Sequence, residues 1–179
     1  MIFRLFRPVL QDEIIASLYG TIVAQARTPI FYRSYGVPDT VNGRFEMVTL
    51  HSVLLLRHLE KRPGPARGLG QHVFDRFCVD MDDSMREMGV GDLTVPRKMR
   101  RIGEAFYGRQ RAYGAALASS DDQLLAAVLQ RNVFAGTPAA AGARGLAAYV
   151  RAADRMLEAQ QGLERGELLF PDPEQLTGS

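Results

Sequence analysis

Apolar residues recur at three- and four-residue spacing through every long segment of the chain, and period-two alternation nowhere outlasts a few residues. Side chains three and four apart share one face of an α-helix, whereas a half-buried strand needs alternation. The spacing therefore predicts an all-α fold. Proline and glycine punctuation divides it into about six or seven helices, and 179 residues suit one compact domain.

Along the chain, Asp12 or a near neighbour is expected to cap a first helix carrying Ile15, Leu18, Ile22 and Ala26, with Pro29 ending it. FYRSYGVPDT (residues 31–40) reads as an extended aromatic connector in which Gly36, Pro38 and Asp39 turn the chain and Thr40 caps a second helix. That helix places Phe45, Val48, Ser52, Leu55, Leu56 and Leu59 on one stripe, and KRPGPARG (residues 61–68) breaks it. Asn42-Gly43 precedes this helical pattern, so it joins no hairpin. A third helix gathers Phe74, Phe77, Met81, Met85 and Met88, sets Asp80, Asp83 and Glu87 opposite them, and ends at Gly89. After GVGDLTVP, Pro96 opens a fourth with Met99, Ile102, Phe106, Tyr113 and Leu117 inward. Ser119, Ser120 and Asp121 offer caps for a fifth helix with Leu124, Leu125, Val128 and Leu129. GTPAAAGARG separates it from a sixth with Leu146, Val150, Ala153 and Leu157. The domain is expected to span residues 1–169, because residues 170–179 hold too few apolar groups to pack and should form a mobile tail.

Composition narrows the partners. With 22 basic against 20 acidic residues, the net charge of +2 leaves any anion affinity to a local patch, and no DNA partner is expected. The most apolar stretch, residues 45–56, is interrupted by Glu46, His51 and Ser52 and falls short of the ~20 residues that span a bilayer. MIFRLFRP at the start is basic and apolar enough to touch a membrane or partner, although a loosely packed terminus is the first expectation. A lone cysteine, Cys78, with no secretory signal ahead of the fold, implies a reducing compartment.

Chemistry finds little to stand on. His51 and His58 lie two helical turns apart, too far to meet one small ion, and His72 has no visible partner. DMDDSMRE (residues 80–87) lacks the glycine of a calcium loop, Gly89-Val90-Gly91 follows a helix and not a strand, and Cys78 has no activating base. No catalytic, metal or cofactor residue is assigned. Two charged faces are candidates for partner binding. Asp80, Asp83 and Glu87 crowd like charges on one helix, a recognition face or a plainly solvated one. Arg97, Lys98, Arg100, Arg101, Arg109 and Arg111 load the next, its first turns against the helix dipole, with Glu104 alone to offset them. Their partner is either external or the acidic face of the preceding helix. Gly103, Gly108 and Gly114 within that basic helix imply close packing or a groove.

LYGTIVAQAR (residues 18–27), FYRSYGVPDTVNGRFEMVTLH (31–51), VFDRFCVDMDDSMREMGVGDLTVPRKMRRIGEAFYGRQRAY (73–113) and RNV (131–133) resemble the ubiquinol-cytochrome c chaperone family, the long third block most specifically. That family includes mitochondrial factors that assemble respiratory complex III and attend new cytochrome b, together with bacterial relatives, and its mitochondrial members work with a small partner subunit and at the ribosome. The resemblance implies a non-enzymatic assembly chaperone whose client is cytochrome b or another complex III subunit. The lack of a long amphipathic presequence points to a bacterial member, placed in the cytoplasm or peripherally on the cytoplasmic face of the inner membrane. GVPDT and REMGVGDLTVPRKM belong to the recognisable blocks, so Asp39, Asp92 and the basic turn after Pro96 are expected on the client surface, in a groove between the third and fourth helices. A rival reading from the residues is an all-α module binding RNA or a phosphorylated ligand through residues 97–111, in which Tyr107 and Tyr113 supply only sparse aromatic interleaving.

Overall fold

The computed structural model describes residues 3–135 and 139–176, with side chains from residue 10 onward. Among these residues the structure is all helical and without strands, as the periodicity requires: α1 (Phe3–Ala26), α2 (Pro29–Arg33), α3 (Val41–Leu59), α4 (Pro65–Glu87), α5 (Val95–Ala118), α6 (Asp122–Asn132) and α7 (Ala140–Ala159). Two 3-10 turns, Leu163–Arg165 and Pro173–Leu176, complete the described chain.

The helix α3 forms the axis of the fold. Residues 46–56 are buried without interruption because α1, α4, α5 and α7 all pack against it. A helix covered on every side needs apolar residues all round, so the six-residue stripe read from the sequence is only part of its buried surface. Its start is fixed by three local devices. Thr40 accepts a hydrogen bond from the Gly43 N–H at 3.1 Å, Thr40 N–H donates to the Pro38 carbonyl at 2.9 Å, and Asp39 pairs with Arg44 at 2.7 Å. The end of α4 is equally explicit. Gly89, at φ +79°, lets its N–H reach the Arg86 carbonyl and the Val90 N–H reach that of Met85, the paired bonds of a Schellman motif.

Several boundaries differ from those expected. The first helix starts at Phe3, so Asp12 lies inside it and not at its cap. Residues 29–33 form a helix that takes in the first three residues of the connector expected to be extended over 31–40, because Pro29 takes a first-turn position in which its missing N–H costs nothing. Pro65 does the same for α4, so the break shortens to residues 60–64. Leu124, assigned to the core, stays 43% exposed, whereas Leu125, Val128 and Leu129 are buried as expected. The tail expectation also fails for residues 170–176. Tyr35 donates to the Pro173 carbonyl at 2.9 Å, Gln25 to that of Pro171 at 3.1 Å, and Phe170 meets the His51 ring edge-on at 5.0 Å. Polar anchors from α1 and from the segment after α2 do what apolar content alone would not; residues 177–179 lie outside the described residues, as do the side chains of MIFRLFRP.

Candidate client groove

Between the first half of α3 and the last turns of α4 lies an open groove of about 590 Å³. Val41, Phe45 and Val48 form one wall, Met81, Met85 and Met88 the other, and Ile102 of α5 contributes from beyond. Arg27, Asn42 and Arg44 supply polar groups from the end of α1 and from α3, while Asp80, Ser84 and Glu87 supply them from α4. The methionines recur at four- and three-residue spacing and therefore face one way. Asp80, Ser84 and Glu87 repeat that spacing one position earlier, which brings both rows into the same groove and corrects the expectation that acids and methionines stand on opposite sides.

Exposure grades along this lining. Phe45 is partly buried and meets Phe77 at 6.1 Å between ring centroids, which fixes the floor. Met85 is buried, whereas Met88 is 55% and Val41 67% exposed. Apolar side chains held open to solvent at a groove rim, beside unbranched thioethers that repack at little cost, describe an adaptable apolar binding surface. Asp80 is held in place by the Tyr19 hydroxyl, which donates to it at 2.8 Å. Burial, and then the Asp80 carboxylate, push the Tyr19 phenol above its ordinary range.

The residues singled out from the sequence separate into three groups. Asp80 and Glu87 line the groove, and Asp39 borders it through Arg44, whose hydrogen bond holds the Asp39 carboxyl below its usual value. Asp83 is exposed outside the lining, and Asp92 forms an ion pair with Arg86. Arg97, Lys98, Arg100, Arg101 and Arg111 are exposed on α5, contribute nothing to the lining and have no ion pair among the described residues. Pairing with Asp80, Asp83 and Glu87 is therefore not their role. Arg109 leaves the outer face altogether, because Glu46 of α3 draws its guanidinium inward. The groove accordingly runs between α3 and α4, one helix earlier than expected, and α5 lends it only Ile102.

The sequence pattern did not single out Arg27, Val41, Asn42, Arg44 or Ser84. Only Val41 carried a usable signal, an apolar residue directly after a cap, where no buried neighbour is due. Two of the histidines also have structural partners. His51 Nδ1–H donates to the Met47 carbonyl at 2.7 Å, which leaves Nε2 to accept from the Tyr149 hydroxyl at 2.8 Å. His58 meets Asp154 at 2.7 Å, and His72 is exposed. Cys78 is partly buried, and burial with the nearby Asp75 charge pushes its thiol up, away from reactive thiolate behaviour. Of the two tyrosines in the rival RNA reading, Tyr113 is wholly buried, while Tyr107 is 52% exposed and leans on Phe74 at 5.5 Å, so a single half-exposed ring stands near the arginines.

Residues 33–169 match the sequence profile of ubiquinol-cytochrome C chaperones. The chain belongs to the ubiquinol-cytochrome c chaperone family. The crystal structure of the Cbp3 homolog from Brucella abortus superposes on this member of the family with a TM-score of 0.88, at 40% sequence identity, over 98% of this chain and 99% of that one. The ubiquinol-cytochrome-c reductase complex assembly factor 1 of Xenopus laevis is 27% identical over 117 residues. Those residues are 65% of this chaperone-family chain, which spans 58% of the frog protein's length.

Proposed function

We propose that this protein is an assembly chaperone for respiratory complex III that binds a segment of a complex III subunit, cytochrome b foremost, in the α3–α4 groove without catalysing a reaction. Family membership and the name of the frog relative support the complex, and the groove supports the mode. Its deciding feature is the combination of exposed Val41 and Met88 over a floor of Phe45 and Met85, with Arg27 and Arg44 among its cations and Asp80 and Glu87 on its α4 wall. An amphipathic helix lays its apolar face into such a groove and its charged residues against the rim. No described helix is long and apolar enough to cross a membrane, so the client and not the described fold brings any spanning helix.

The experiment is a photo-crosslinking residue placed at Met88 in the native host, followed by identification of the captured protein. Capture of cytochrome b or a neighbouring complex III subunit, together with loss of complex III when the gene is deleted, is the expected result. Normal levels of complex III in the deletion strain, with no subunit captured, would overturn the reading.

A further inference from the structure

The basic cluster of α5 stands apart from the groove and has its own neighbour. Residues 91–94 continue the helical bonding of α5 backwards, because the N–H groups of Thr94 and Val95 both reach the Gly91 carbonyl, at 2.8 and 3.3 Å. Leu93 therefore stands one helical turn before Arg97 and two before Arg100, on the outer side that Arg97, Arg100 and Arg101 share. Leu93 is 98% exposed, more than any other large apolar side chain of the described fold. Arg97, Lys98, Arg100 and Arg101 follow it in the first two turns of α5, all exposed and none paired among the described residues. Asp92 is occupied by Arg86, and Glu104 is the acid that α5 itself sets on this side.

This arrangement is unfavourable in water. Like charges three and four apart repel, cations in a first helical turn oppose the dipole, and Leu93 leaves its whole side chain hydrated. A single surface relieves all three at once: anionic, to neutralise the cations, and apolar a few ångströms deeper, to take the leucine. We infer that Leu93 with Arg97, Lys98, Arg100 and Arg101 forms a docking site for an anionic lipid bilayer. RNA would neutralise the same cations, but it would have no use for an aliphatic tip and would want a series of stacking rings, where Tyr113 is buried and Tyr107 alone is half exposed against Phe74.

The test uses the full chain and sonicated vesicles of phosphatidylglycerol and phosphatidylcholine in equal parts, with pure phosphatidylcholine vesicles alongside. The protein contains no tryptophan, so Leu93→Trp installs a single reporter at the tip. Its emission should move to the blue on the anionic vesicles, be quenched by bromine-labelled acyl chains, and stay unchanged on the neutral ones. In flotation, Leu93→Ser should weaken binding about tenfold, and Arg97→Gln with Lys98→Gln, Arg100→Gln and Arg101→Gln should weaken it by on the order of 100-fold, about fivefold per cation at most. Binding should also collapse in high salt. Both variants change exposed side chains only, and the quadruple one also relieves repulsion at the start of α5, so neither melting temperature should fall below the parent's. Val41→Glu, in the groove, should float like the parent, which keeps failure of lipid docking separate from failure of client binding. Equal flotation on neutral vesicles, unchanged flotation of Leu93→Ser and of the quadruple variant, or binding confined to a single-stranded RNA 20-mer would each overturn the inference.

Discussion

Glu46, in the first half of α3 and 1% exposed, accepts hydrogen bonds from Nε and Nη2 of Arg109 on α5. Burial pushes the Glu46 carboxyl above the ordinary glutamate value, and the arginine pulls it back only in part. The pair is therefore costly to assemble and costlier to break. Arg109→Met should destabilise by about 3–5 kcal/mol, because it strands a carboxylate, while Glu46→Met with Arg109→Met should recover most of that loss. Chemical unfolding of the three proteins measures both. A carboxyl whose folded value is raised favours the folded state at low pH and loses that contribution as pH rises through the folded value. Arg109→Met should therefore be less impaired near pH 5 than near pH 8.

His51 gives the opposite slope. Burial holds its imidazole down at about 4, against an ordinary value of 6.5, and Tyr149 and Met47 satisfy the neutral ring. A depressed folded value means that the unfolded chain takes up the proton first as pH falls, so the contribution is whole above about 6.5 and lost toward about 4. Unfolding free energy should drop by about 2 kcal/mol between pH 7.5 and 5 from this group alone. His51→Gln should flatten that slope. Asp154, held below its ordinary value by His58 and Arg57 against the pull of burial, keeps its contribution until more acid conditions and does not blur the window.

How far the sequence revealed this architecture depends on how local each signal is. The helix starts at Thr40 and Asp121 and the stop at Gly89 were legible because a cap acts within four residues of itself. The Arg109–Glu46 pair was not legible, since 63 residues separate the partners and helix spacing places Arg109 only at the border between faces. The groove was half legible. The periodicity grouped Met81, Met85 and Met88 on one apolar stripe, but it marked that stripe as core, and which helix would face it is decided by the packing of α3, to which a periodicity reading has no access.

The glycines of α5 separate a sequence inference from a structural one. Gly103 and Gly108 were expected, with Gly114, to serve close packing or a groove; a Cβ at either would meet no atom within 4 Å, which excludes close packing there. They are plain helix-interior glycines. Gly103→Ala and Gly108→Ala should each stabilise by about 1 kcal/mol, seen as a rise of roughly 2–4 °C in melting temperature. Gly43 is the contrast. A Cβ there would sit 1.9 Å from the Pro38 carbonyl oxygen, so Gly43→Ala must push the 38–40 turn away from α3 and should cost about 1–3 kcal/mol.

The groove makes the sharpest functional prediction, because two of its apolar residues are dispensable for the fold. Val41 and Met88 are 67% and 55% exposed, on opposite walls, and neither belongs to the buried core. Exposed substitutions usually change stability by less than about 0.5 kcal/mol each. Val41→Glu with Met88→Glu should therefore leave circular dichroism and melting nearly unchanged. On binding the balance reverses, since an apolar client face would have to desolvate two carboxylates where it met two apolar side chains, at about 2 kcal/mol or more by the usual cost of a buried interfacial charge. The double variant should fail to restore complex III in a deletion strain, whereas Asp83→Asn, on α4 but outside the lining, should restore it. Full restoration by a folded Val41→Glu, Met88→Glu protein would remove the groove from the client's path.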